Sequence, residues 1–126
     1  DPGFAGLLDV LDFLFLNEQE ALLYSREDSM AAALRHWQRH PRNVLVKLGA
    51  RGCVWMHGRR SLKARALRVR VADTTGAGDA FNGGFLYALL RRKTQEECLR
   101  IANCVGGLST RMPGGIDALP GKDELP

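Results

Sequence analysis

The sequence lacks most of the features that would take it out of ordinary globular chemistry. Its longest unbroken apolar runs fall far short of the roughly 20 residues needed to cross a bilayer as a helix. Cysteine is scarce. Cys53, Cys98 and Cys104 are odd in number and share no CxxC spacing. That disfavours a disulfide framework or a zinc site and favours free thiols, two of them on an apolar helical face. The three histidines, His36, His40 and His57, have no zinc-like spacing to any cysteine. "HWQRH" lacks the glutamate of the metalloprotease pattern, so His36 and His40 read as surface residues of an amphipathic helix. Aromatic residues make up 7% of the chain and are not interleaved with the basic ones. A net charge of +4 therefore does not amount to a base-stacking surface. The basic stretches "GRRSLKARALRVRV" and Arg91-Arg92-Lys93 read instead as a solvated strand face and a helix C-terminal turn, where cations suit the dipole. No basic-then-apolar leader opens the chain, which begins Asp1-Pro2-Gly3. "KDEL" at 122–125 is followed by Pro126, and such a retention signal is read only at a free C-terminus.

What is present is the pattern of one α/β domain over residues 1–126. The 45% hydrophobic and 25% charged content suits a soluble, core-forming unit. "GFAGLLDVLD" (3–12) reads as the tail of a helix and "FLFLN" (13–17) as a short buried strand. "EQEALLYS" (18–25) begins a short helix. "REDSMAAALRHWQRH" (26–40) is a second helix, with Met30, Ala33, Leu34 and Trp37 at helical spacing and Pro41 as its stop. "NVLVKLG" (43–49) and "GCVWMHG" (52–58) read as strands close enough to form a hairpin. In "SLKARALRVRVAD" (61–73) the apolar alternation changes phase, which predicts a bulge or bend at Ala66-Leu67. A helix after Gly78 would bury Phe81, Phe85, Ala88 and Leu89, with Gly83 and Gly84 permitting close packing. The last helix opens at Thr94, with Glu97 completing a capping box, and turns Cys98, Ile101, Ala102, Val105 and Leu108 inward. This alternation argues for a sheet covered by helices. A sheet of three or four strands with an open edge looks unfinished.

The chemistry concentrates at "DTTGAGDAFNGGF", residues 73–85. The first N–H groups of a helix lack intrahelical partners and carry partial positive charge. Two glycines let a ligand approach that backbone, so Gly76-Ala77-Gly78 can form an anion cradle. Asp79, directly behind it, has two readings. It can complement the helix dipole, for roughly 0.3–1 kcal/mol. It can also take a proton from a hydroxyl attacking a bound phosphate, general-base help of about 10² to 10⁴ in rate. Spacing alone leaves both open. The stretch is not a P-loop, because no Lys-Ser/Thr pair follows the glycines. Nor is it a dinucleotide fingerprint, because Phe81 stands where the third glycine belongs.

This stretch closely resembles the C-terminal signature of the ribokinase-like family, the pfkB carbohydrate kinases, without a gap over 13 residues. "LNEQEA" (16–21), "VLVKLGARG" (44–52) and "ANCVGGLSTRMPGG" (102–115) agree with the family in order. The resemblance covers nearly the whole chain but less than half of a family member. It implies the C-terminal part of a three-layer αβα ribokinase-like domain. The sugar-contacting residues, first glycine signature and lid would lie in an N-terminal part that these residues do not contain.

Residue by residue, the resemblance implies Asp79 as the base toward a sugar hydroxyl. The amides of Gly76, Ala77 and Gly78 would stabilise charge growing on the transferred γ-phosphoryl group. Asp73 and Thr75 would help hold a monovalent cation, with K⁺ as the candidate and Gly114 giving a backbone oxygen. Asn17 and Glu20 match an N-x-x-E element that positions Mg²⁺ largely through water. The same four residues also spell a capping box, and Asn17 can serve both roles. Lys47, Gly49 and Gly52 fall on the family's nucleotide loop; a solvated lysine at a strand end is the alternative for Lys47. Asn103 matches a position bordering the adenine pocket.

The implied activity is ATP-dependent phosphorylation of a sugar or sugar acid. The partners would be ATP and a small sugar, with no membrane and no nucleic acid, in the cytoplasm. A homodimer through the lid fits the family. The isolated 126 residues are not expected to turn over, since the reaction rests on positioning two substrates. Two other classes stand beside this reading: a nucleotide-binding module without phosphotransfer, and a basic nucleic-acid-binding domain.

Overall fold

The computed structural model describes residues 12–68, 74, 76–111, 120, 121, 123, 125 and 126. In chain order the elements are β1 (Phe13–Asn17), α1 (Glu18–Ser25), α2 (Met30–Gln38), β2 (Asn43–Lys47), a 3₁₀ turn (Gly49–Arg51), β3 (Cys53–His57), β4 (Arg60–Ala64), α3 (Ala77–Leu90), α4 (Gln95–Leu108) and a 3₁₀ turn (Ser109–Arg111). The four strands form one sheet in the order β1-β2-β3-β4. β1 and β2 run parallel, with Phe13 opposite Asn43 and Asn17 opposite Lys47. The helical crossover α1–α2 joins them, as a parallel pair requires. Gly58-Arg59 alone connects β3 to β4, a link that only an antiparallel pair permits.

The chain divides into two compact units. The first comprises the described residues up to Leu48 together with Val54–Lys63; the second comprises Gly49–Cys53 and the described residues from Ala64 on. In the first unit, Leu16, Val44, Val46, Val54 and Met56 form a core with Ala21, Ala33 and Trp37 of the two helices. Leu14, Leu22, Met30, Leu34 and Leu48 pack around it. Trp37 is fully buried, and its indole N–H donates to the Ala21 carbonyl at 3.0 Å, tying α2 to α1. Removing such a side chain costs about 3–5 kcal/mol. Leu45 and Trp55 are buried too, so β2 and β3 read as continuous apolar runs rather than alternating ones. The Gln38 amide donates to the carbonyls of Gly58 and Arg60, holding the β3–β4 turn to the end of α2.

In the second unit α3 and α4 pack against each other. Phe81, Phe85 and Ala88 are buried on α3, as are Cys98, Leu99, Ile101 and Ala102 on α4. A Cβ on Gly84 would lie 2.9 Å from Val105 Cγ2 and 3.3 Å from Ala102 Cα, so this glycine permits the close crossing. Gly83 does not: nothing lies within 4 Å of its Cβ position.

Several boundaries differ from the sequence expectation for identifiable reasons. The second helix begins at Met30, not at Arg26. Arg26 takes a left-handed conformation (φ 60°) that closes α1, and the Ser29 hydroxyl caps α2 by accepting from Ala32 N. No bulge forms at Ala66-Leu67, because β4 ends at Ala64 and residues 65–68 are irregular. α3 starts at Ala77, two residues earlier than expected: Gly76 absorbs the left-handed turn (φ 73°), and the first helical bond runs from Ala80 N to Gly76 O at 2.9 Å. Val105 and Leu108 are half-buried rather than core, while Leu99, Asn103 and Gly106 are buried. The expected helix tail at 3–12 lies outside the described residues, apart from Asp12 in a bend. Cys53 and Cys98 are buried free thiols and Cys104 is half-buried. Burial pushes the Cys53 thiol up to about 11 and raises that of Cys98 as well, so neither is a thiolate at neutral pH.

Candidate functional site

In the first unit, the parallel pairing brings Asn17 and Lys47 side by side, each the last residue of its strand. The carboxyl ends of parallel strands are where open α/β sheets bind ligands. Glu20 joins them through a capping box. Asn17 Oδ1 accepts from Glu20 N at 2.8 Å, and Glu20 Oε2 accepts from Asn17 N at 2.9 Å. The box is therefore present as structure. It occupies one atom of each side chain and leaves the Asn17 amide nitrogen and Glu20 Oε1 outside it. A carboxylate oxygen in the first turn of α1 is a hard ligand of the kind Mg²⁺ uses one or two of, beside its waters. The donor set fits that ion. Among the described residues no three His, Cys, Asp or Glu side chains gather to form a closed metal site.

In the second unit, Gly76-Ala77-Gly78-Asp79 forms the N-terminal turn of α3. No side chain caps this helix, because the cap position is Gly76 itself. Asp79 is exposed in the first turn, at the positive end of the helix dipole. The Ala77 N–H donates to the Thr74 carbonyl at 3.1 Å, so its hydrogen goes to the preceding turn. Asp73, Thr75 and Gly114 lie outside the described residues.

Gly49 and Gly52, also in this unit, bracket the 3₁₀ turn and both have positive φ (58° and 92°). Gly52 N donates to Gly49 O at 3.0 Å. A Cβ on Gly52 would sit 1.9 Å from the Ala64 carbonyl oxygen, an impossible contact. The neighbouring chain thus requires this glycine whether or not a ligand approaches. Asn103 is buried, and its amide donates to the Arg65 carbonyl at 3.0 Å and lies 3.5 Å from Cys53 Sγ. It ties α4 to the start of β3 and to the segment after β4. Sequence reasoning placed Asn103 by resemblance and missed this internal tie. It also missed the buried Gly106, although two adjacent glycines inside a helix were a legible signal.

The chain matches the pfkB family of carbohydrate kinases over residues 2–122. It belongs to that family. It is 41% identical over 104 residues to an uncharacterised sugar kinase of Archaeoglobus fulgidus, covering 82% of this chain and 42% of that protein. Against ribokinase of Arabidopsis thaliana it is 34% identical over 128 residues, covering 94% of this chain and 34% of the relative. The structure of Arabidopsis ribokinase complexed with ribose and ATP superposes with a TM-score of 0.86 at 30% identity, covering 94% of this chain and 40% of that one. A Vibrio cholerae fructokinase with fructose, ADP and calcium bound gives a TM-score of 0.82 at 29% identity, covering 94% and 41%. This pfkB chain thus has a ribokinase-type α/β fold and spans about a third to two fifths of the length of these relatives. No helix among its described residues is long and apolar enough to cross a membrane.

Proposed function

We propose that this pfkB chain supplies the nucleotide-binding and catalytic part of an ATP-dependent sugar kinase. The observation that carries the reading is the start of α3: a helix N-terminus without a side-chain cap, with an exposed carboxylate in its first turn. Asp79 accepts the proton of a sugar hydroxyl. The freed oxygen attacks the γ-phosphorus, the bond to the β,γ-bridging oxygen breaks, and ADP leaves. Backbone amides at the helix start, in Gly76-Ala77-Gly78, face the negative charge that grows on the transferred group. The Ala77 amide joins them only by giving up its bond to Thr74.

Glu20 and Asn17 would hold Mg²⁺ largely through water, and the ion would neutralise charge on the ATP phosphates. Lys47 would reach phosphate, and the Gly49–Gly52 turn would line the nucleotide, with Asn103 beside Cys53, the residue that follows the turn. Asp73, Thr75 and Gly114 keep their assignment to a monovalent cation, K⁺, from the resemblance. A cytoplasmic enzyme, dimerising through a lid, completes the proposal.

Ribose and fructose, bound in the two related structures, are the first sugars to test. The protein at its natural length, given ATP and a panel of sugars, should release ADP with at least one of them. If ADP binds but no sugar is phosphorylated, the chain is a nucleotide-binding module. The Ala77–Thr74 bond is the observation that favours that second reading. The exposed Arg60 and Lys63 of β4 are accounted for as charges that protect a sheet edge, without nucleic acid.

A further inference from the structure

The adjacent glycines of α4, Gly106 and Gly107, carry no chemistry of their own. Yet both lie where a methyl group would press on the chain that carries the cradle. A Cβ on Gly106 would lie 3.3 Å from the Ala77 carbonyl oxygen and 3.3 Å from Phe81 Cβ. One on Gly107 would lie 3.1 Å from Leu67 Cβ. Leu67 precedes the signature and Ala77 opens α3, so α4 abuts the chain on both sides of the segment between them. The two contacts differ in what can yield. Leu67 is 40% exposed and belongs to the irregular segment 65–68, where the backbone itself can shift and carry the Cβ away. The Ala77 carbonyl and the Phe81 Cβ move only if the first turn of α3 moves.

We propose that Gly106 is a positioning residue for the phosphate cradle, setting the distance between α4 and the helix start that presents Gly76–Asp79, with Gly107 as a weaker second support. The proposal rests on the phosphotransfer reading for its effect on rate, but the geometric claim stands independently. Gly84, whose neighbours are Val105 and Ala102 at mid-helix, only permits packing.

The test compares Gly106→Ala, Gly107→Ala and Gly83→Ala in the protein at its natural length. Two quantities are read: steady-state kinetics of ATP-dependent sugar phosphorylation, and hydrogen exchange of the Ala77–Ala80 amides. In Gly106→Ala, kcat should fall about tenfold or more while KM for ATP stays within about twofold, because small misplacements cost rate rather than binding. The Ala77–Ala80 amides should exchange several-fold faster at a temperature where the protein stays folded. Gly107→Ala should show a smaller effect of the same kind, and Gly83→Ala none. An unchanged kcat in Gly106→Ala overturns the proposal. So does a loss confined to KM, or one that merely follows the unfolded fraction. If the wild-type protein phosphorylates no sugar, the kinase reading falls and exchange alone decides: unchanged amides at the start of α3 refute the positioning role, and faster ones sustain it.

Discussion

Three helix starts in this molecule solve the same problem in two ways. α1 and α4 each close their N-terminus with a reciprocal capping box, Asn17 with Glu20 and Thr94 with Glu97. α3 has a left-handed glycine at the cap, which supplies no side-chain acceptor of its own. A boxed helix satisfies its first amides from its own sequence and needs nothing more. An unboxed one relies on neighbouring backbone or on a ligand, and the signature glycines place backbone rather than side chain at that point. In a pfkB chain the uncapped start coincides with the residues that carry the proposed chemistry, while the start of α4 is purely structural. The start of α1 stands between them, boxed yet lying at the strand ends where a ligand is expected.

The largest effect should come from removing the charge at the uncapped start. Asp79→Asn in the natural-length protein should lower sugar phosphorylation by about 10² to 10⁴, with ADP affinity little changed. Isothermal titration and coupled kinetics on one preparation check this. An Asn variant retaining most of its kcat would remove Asp79 from the base role and leave it complementing the dipole.

Next in size is the cap itself. Gly76→Ala forces a side chain into the left-handed region and should cost about 1–2 kcal/mol in a denaturant melt. Its loss of phosphotransfer should exceed what that destabilisation explains, since the strained turn carries the cradle.

The two boxes provide a matched pair. Asn17→Ala and Thr94→Ala should each cost about 1 kcal/mol of stability, because they remove equivalent caps. Only Asn17→Ala should also raise the Mg²⁺ concentration needed for half-maximal activity. Equal Mg²⁺ curves for the two variants would reduce Asn17 to a cap.

The smallest effect concerns pH. The Thr94 backbone N–H, donating to Glu97, holds that carboxyl below its ordinary 4.5, helped by Lys93 and Arg100. A depressed folded value means the contribution is complete above pH 4.5 and is lost as the pH falls through the folded value. Stability measured at about pH 6 and about pH 3 should drop slightly more in wild type than in Glu97→Gln.

Much of this was legible in the chain. Local rules placed β1 at 13–17 and α1 at 18–25, and found the Thr94 box and the buried face of α3 apart from Leu89, which is half-buried, because those features depend on residues within one turn or one strand of each other. The family signature identified the pfkB fold for the same reason: it is contiguous. What the sequence could not determine was anything that depends on a distant neighbour. The glycine pair at 83 and 84 looks symmetric in sequence, yet only Gly84 meets another helix. Gly52 reads as a site for ligand approach, but the obstacle is the Ala64 carbonyl at the end of β4. The phase change at Ala66-Leu67 predicted a bulge or bend, and the strand ends at Ala64 instead, with the Asn103 amide holding the Arg65 carbonyl. Short-range hydrogen bonding and side-chain periodicity are written in adjacent letters. Close approach of backbones is not, and only the tertiary structure decided which glycine is required for which contact.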